Sequence, residues 1–126
     1  MSLSWSPDGK HLAEASFDGT VRVWEVTAGK TIYIYTGHAS GAPLRSVAWS
    51  LDGRSLAAAS ANGEVHTWGF GVQVVTYKAK SALALAWSPD SKRLATGGEG
   101  IQIITPATGK LLFTYRGQPT AISAVA

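Results

Sequence analysis

A chain of 126 residues with 45% apolar and 15% charged side chains can build one domain-sized core and is too apolar for a disordered segment. The formal charge of +3, from 11 basic and 8 acidic residues, is mild. The basic residues are scattered through turns with no cluster beyond Lys92-Arg93, which argues against a specific nucleic-acid partner. With no cysteine, no leader-like N-terminus and no apolar run near the ~18 residues of a membrane span, the expectation is a cytoplasmic chain without disulfides, thiol chemistry or a membrane partner.

Along the chain the apolar pattern has a period of two and is broken by Gly-containing turns, the signature of short antiparallel strands. Strands are predicted first over 2–6, 11–16, 20–25 and 31–35, joined by the Pro7-Asp8-Gly9, Asp18-Gly19 and Ala28-Gly29 turns. A second group follows over 45–50, 55–60, 64–68 and 72–77, with an Asn62-Gly63 hairpin. A third covers 83–88, 93–97, 101–105 and 111–115, with a shorter turn near Glu99-Gly100. No segment shows helical periodicity, so the fold class is all-β.

The three groups are copies of one another. Leu3-Ser4-Trp5-Ser6-Pro7-Asp8-Gly9 returns as Val47-Ala48-Trp49-Ser50-Leu51-Asp52-Gly53 and as Leu85-Ala86-Trp87-Ser88-Pro89-Asp90-Ser91. In each copy a Leu follows the Trp by the same interval, at Leu12, Leu56 and Leu94, and Ser123-Ala124-Val125-Ala126 begins a fourth copy. The period of roughly 40 residues means a stacked array, because such a unit cannot bury its own apolar face.

These motifs resemble the WD40 family of β-propeller repeats. The likeness is carried by the Trp-Ser-Pro-Asp-Gly turn, the run over 12–24 ending in Thr20-Val21-Arg22-Val23-Trp24, the Gly-Lys turns at Gly29-Lys30 and Gly109-Lys110, and the Gly37-His38 pair. It implies one array over 1–126 with four-stranded blades at about 2–36, 45–77 and 83–115 and the start of another at 119–126. It also implies a buried hydrogen-bonded chain in each blade, running from a His through a Ser or Thr and an Asp to a Trp. In the second unit that chain would be His38, Ser60, Asn62 and Trp68, with Trp68 bonded to Ser60. In the first it would be Ser16, Asp18 and Trp24, and in the third it is lost. The departures are informative: the Trp-Asp ending becomes Trp24-Glu25, Trp68-Gly69 and Ile104-Thr105. Neutral Asn62 cannot make the charge-assisted bond of an Asp.

Propellers close with four to eight blades, so three form part of a ring and leave two apolar faces in water. Completion by oligomerisation is expected: six blades from a homodimer is favoured, nine from a trimer second. The overlap of 123–126 with the first strand fits a fragment of a longer array better than seamless closure.

The residues for chemistry are sparse. Three His without a Gly-x-Ser-x-Gly elbow do not build a triad, and the ligands for a metal are too few. Gly97-Gly98-Glu99-Gly100 lies between strands rather than before a helix, so it is read as a hairpin and not a phosphate cradle. His66 is expected to be partly exposed, Glu14 to pair with Arg22, and the recurring Trp and Tyr residues to pack the core. The expectation is a non-catalytic protein-interaction scaffold, with no cofactor, whose partners are other proteins. The alternative is a small-ligand or lectin-like module. Binding loops in such propellers lie where the second-to-third and fourth-to-first strand connections emerge, and there Phe17 and Arg45 are the contact candidates.

Overall fold

The computed structural model describes residues 2–37, 42–69, 74–79 and 82–115. These described residues form twelve strands in three antiparallel four-stranded sheets. Sheet 1 is β1 (Ser2–Trp5), β2 (His11–Ala15), β3 (Val21–Glu25) and β4 (Lys30–Tyr35). Sheet 2 is β5 (Leu44–Trp49), β6 (Ser55–Ser60), β7 (Glu64–Gly69) and β8 (Val75–Lys78). Sheet 3 is β9 (Ala84–Trp87), β10 (Leu94–Gly97), β11 (Ile101–Thr105) and β12 (Lys110–Tyr115). Each sheet pairs its strands in chain order, so every sheet is built from one contiguous stretch of sequence. The first strands β1, β5 and β9 lie side by side, and the sheets stack in the order of the chain. The register slips between Val23 and Trp24 and again between Ile103 and Ile104, the same bulge position in sheets 1 and 3. Among the described residues no helix is long and apolar enough to cross a membrane.

The repeated Trp-Ser-x-Asp phrase builds the first turn of each sheet by one mechanism. Ser6 donates its hydroxyl to Asp8 Oδ1 at 2.6 Å and accepts the His11 backbone N–H at 3.0 Å, while Asp8 also accepts from the Lys10 backbone N–H. Ser50 with Asp52 and Ser88 with Asp90 repeat the arrangement. The turn residue that follows must take a left-handed backbone, which Gly9 and Gly53 do without a Cβ penalty. Ser91 holds the third copy at φ 60° and uses its hydroxyl to accept the Asp52 backbone N–H at 3.0 Å, joining two turns across adjacent sheets.

The serine hydroxyl first, and the backbone N–H second, hold the Asp8, Asp52 and Asp90 carboxyls below the usual carboxylate range. A carboxyl lowered in the folded state adds stability that is complete above its unfolded pKa of about 3.9 and is lost as pH falls further. Stability is therefore expected to drop below about pH 4. Replacing Ser6, Ser50 and Ser88 together with Ala should flatten that drop. Acid denaturation monitored by circular dichroism checks this, and an unchanged acid limb would contradict it.

The core lies between the sheets. Ala13, Ala15, Val21, Val23 and Tyr35 of sheet 1 meet Leu44, Val47, Trp49, Leu56, Ala58 and Trp68 of sheet 2. Across the second seam Ala57, Ala59 and Val65 meet Leu85, Leu94 and Ile104, with Ala79 and Ala82 beside them. Sheet 2 is thus buried on both faces, and its β6 and β7 are buried almost throughout. Leu56 and Leu94 are fully buried while their counterpart Leu12 is only half-buried, since none of the described strands covers the outer face of sheet 1. Trp49 is buried, whereas Trp5 on that same outer face is 57% exposed.

Candidate functional site

Two regions hold side chains that sequence reasoning singled out: the end of the sheets where the β2–β3 and β4–β5 connections emerge, and the seam between sheets 1 and 2. At the first, the turn after β2 is closed by Asp18. Its Oδ1 accepts both the backbone N–H and the hydroxyl of Thr20, at 2.9 and 2.6 Å, and its Oδ2 lies 3.4 Å from Arg22. The Thr20 hydroxyl is the main reason the Asp18 carboxyl sits below its ordinary value. Ser16 accepts the Asp18 backbone N–H. The turn leaves the Phe17 ring exposed, and Arg45 is exposed at the start of β5. The Leu44 N–H donates to the Ser16 carbonyl at 3.1 Å, which ties the start of β5 to the Phe17 turn. Phe17 and Arg45 are therefore presented from one end of the stack on hydrogen-bonded backbone.

The expected structural chains take other forms. Ser60 donates to Asn62 Oδ1, which also accepts the Glu64 N–H at 3.1 Å, and Lys78 Nζ caps the Asn62 carbonyl. That much joins two of the expected partners, but Trp68 is not bonded to Ser60. Its indole N–H has no hydrogen-bond partner among the described residues. His38 lies outside the described residues. In sheet 1, Trp24 turns from Ser16 and Asp18 and donates its indole N–H to Glu14 Oε2 at 3.1 Å. Glu14 faces Arg22 in the strand register yet takes Trp24 as its hydrogen-bond partner, while Arg22 pairs with Asp18. Both expectations about Glu14 and Trp24 are corrected by the same contact: the indole N–H on the neighbouring strand lies within reach of the carboxylate, which a half-buried acid needs.

His66 also departs from expectation. It is only 6% exposed, and its Nδ1 lies 2.7 Å from the Tyr35 hydroxyl of sheet 1. Tyr35 stacks on Trp68 with ring centroids 4.0 Å apart and planes at 14°, so one tyrosine engages both residues of β7. Burial lowers the His66 pKa and pushes that of Tyr35 up to about 12, leaving both neutral near pH 7. Nε2 faces Glu64 Oε2 at 3.7 Å; in the tautomer that carries its proton on Nε2, Nδ1 accepts from the Tyr35 hydroxyl. Gly37 belongs to this arrangement: a Cβ there would strike the Tyr35 hydroxyl. The available signal was the shared strand parity of His66 and Trp68, together with the recurrence of Tyr35 as Tyr77 and Tyr115.

At the opposite end of the seam a groove of about 440 Å³ is bordered by Asp8, His11, Trp49 and Asp52, with His11 stacked on Trp49 at 6.1 Å. A second, of about 570 Å³, repeats it between sheets 2 and 3 beside Trp68, Trp87 and Lys92. Among the described residues no group of three or more acidic or His side chains is placed to hold a metal ion.

The family model described as "WD domain, G-beta repeat" matches residues 1–25, 29–69 and 71–101. Protein tipD of Dictyostelium discoideum is 48% identical over 33 residues, covering 26% of this chain and 5% of that protein. The WD repeat-containing protein VIP3 of Arabidopsis thaliana is 43% identical over 47 residues, covering 37% and 14%. The U5 small nuclear ribonucleoprotein 40 kDa protein of Pongo abelii is 44% identical over 39 residues, covering 31% and 11%. The matched stretches thus span a small part of each of these relatives.

Proposed function

Because the chain belongs to the WD40-repeat family, we propose that it is a non-catalytic scaffold that presents the turns at one end of its sheets to other proteins. The observation that carries this reading is the exposed Phe17 and Arg45 pair on backbone tied together by the Leu44 to Ser16 hydrogen bond. Aromatic and Arg side chains supply most binding hot spots, and a rigid base lowers the ordering cost of binding. One relative is named for a small nuclear ribonucleoprotein, so a seat within a larger nuclear or cytoplasmic assembly belongs to the same reading. The reading includes self-association: copies of the chain cover each other's outer sheet faces, six sheets from two copies or nine from three.

A Phe17→Ala, Arg45→Ala double variant is expected to melt like the parent, since both side chains are exposed. It should recover at least about tenfold less of any protein partner captured by the parent, a ΔΔG of roughly 1.4 kcal/mol or more. Quantitative pull-down from lysate beside a glycan array measures this. An unchanged set of captured proteins would remove Phe17 and Arg45 from the interface. Glycan binding with no protein recovered would replace the scaffold with a lectin-like module.

A further inference from the structure

The two outer faces are the two halves of a contact that this chain already makes internally. On sheet 1 the half that docks forward is Val21, Val23, Tyr33 and Tyr35, buried or half-buried against sheet 2. The same register positions on sheet 3 are Ile101, Ile103, Phe113 and Tyr115, paired as Ile101 with Tyr115 and Ile103 with Phe113. Phe113 and Tyr115 are 57% and 47% exposed.

The receiving half on sheet 2 is Val47, Trp49, Leu56 and Trp68, with His66 beside Trp68. Its counterpart on sheet 1 is Leu3, Trp5, Leu12 and Trp24, with Arg22 in the place of His66. That face also carries the exposed Ile34. Arg22 Nε is buried and has no hydrogen-bond partner among the described residues, although its Nη2 reaches Asp18. In the internal seam this position is filled by the Tyr35 hydroxyl approaching from the preceding sheet.

Resting on the reading that copies of the chain associate, we propose that sheet 3 of one copy docks on sheet 1 of the next, head to tail. Tyr115 of one copy lies over Trp24 of the other, and its hydroxyl accepts the hydrogen bond that Arg22 Nε offers. Trp5, on the receiving face, meets the inner strand of the arriving sheet, as Trp87 donates its indole N–H to the Ala48 carbonyl at 3.0 Å across the second internal seam. The internal seams set this pairing. In both of them the Ala, Val and Tyr side of one sheet lies on the Trp and Leu side of the next, and the proposed contact repeats that order. Such a contact is heterologous and closes into a ring or continues as a filament.

The chain has no cysteine, so single reporters can be introduced without background. Arg22→Cys and Tyr115→Cys preparations, unfolded together in urea, refolded and treated with a short bismaleimide, should give covalent dimer. The mixture should yield at least tenfold more dimer than either preparation alone. Tyr115→Ala in the unlabelled chain should raise the dissociation constant from sedimentation equilibrium at least tenfold. If either cysteine variant loses its far-ultraviolet dichroism, Ile34→Cys with Phe113→Cys poses the same question on the same two faces. An oligomer by sedimentation with no cross-link between the two faces overturns the seam and leaves self-association standing. Equal cross-linking of Arg22→Cys with itself overturns the head-to-tail order. A monomer at 100 μM overturns self-association and the seam with it.

Discussion

Trp68→Ala is expected to lower the melting temperature by on the order of 10 °C or more, the largest loss from any single substitution in the first seam. Trp68 is 3% exposed and carries the stacked Tyr35 ring on its face. Truncating a buried aromatic of this size costs about 3–5 kcal/mol, combining lost transfer energy with the cavity left behind. That figure counts packing alone; the indole N–H makes no hydrogen bond among the described residues. Trp68→Phe keeps an apolar ring for Tyr35 to stack on, and should recover more than half of the loss. Differential scanning calorimetry of both variants measures the effect. A Trp68→Phe as damaging as Trp68→Ala would show that an indole bond, rather than packing, holds the residue.

His66→Ala is the second. A surface histidine would change stability by no more than roughly 0.5 kcal/mol. This one is buried, and its removal takes away the hydrogen bond to the Tyr35 hydroxyl inside the seam, at a cost of about 1 kcal/mol before any cavity is counted. The substitution also removes a pH dependence. Burial places the folded-state pKa of His66 below the unfolded value of about 6.5. The folded protein therefore binds this proton less readily than the unfolded chain. Its stabilising contribution is complete above about pH 6.5 and falls as pH drops below that value. The aspartate effect begins only below about pH 4, so the His66 loss sets in first as pH falls. The parent should lose melting temperature as pH drops below about 6.5, and His66→Ala should lose less over the range above about pH 4. Parallel curves for the two proteins would exclude His66 as the group responsible.

Both predictions concern one seam, and that seam marks the boundary of what the sequence made legible. Strand parity and turn chemistry act over a few residues, and the chain repeats them three times, so all twelve strands were foreseen with ends a few residues off. The Trp-Ser-x-Asp turns were foreseen for the same reason. What escaped was every choice made between alternatives in space. Glu14 had Arg22 opposite it on the next strand, and the indole of Trp24 was as near; only the placed side chains decide for Trp24. His66 shares strand parity with Trp68, which points it inward, but its partner Tyr35 is 31 residues away in another sheet. The family-derived hydrogen-bonded chain was legible as Ser60 with Asn62, a contact between residues two apart. It was not legible as far as Trp68, where stacking by Tyr35 sets the ring's surroundings instead.

The contiguity of each sheet sets the order in which its surfaces appear during synthesis. Sheet 1 is complete once Tyr35 has left the ribosome, but the residues that cover Val21, Val23 and Tyr35 run on to Trp68. At the usual elongation rate of about 5–20 residues per second, the roughly 30 further residues take about 2–6 seconds. For that interval the nascent chain carries a finished apolar surface with nothing to lay against it, the kind of surface holding chaperones bind. Nascent chains arrested just past Tyr35 should be cut by protease within β3 and β4, and chains arrested well past Trp68 should be protected there.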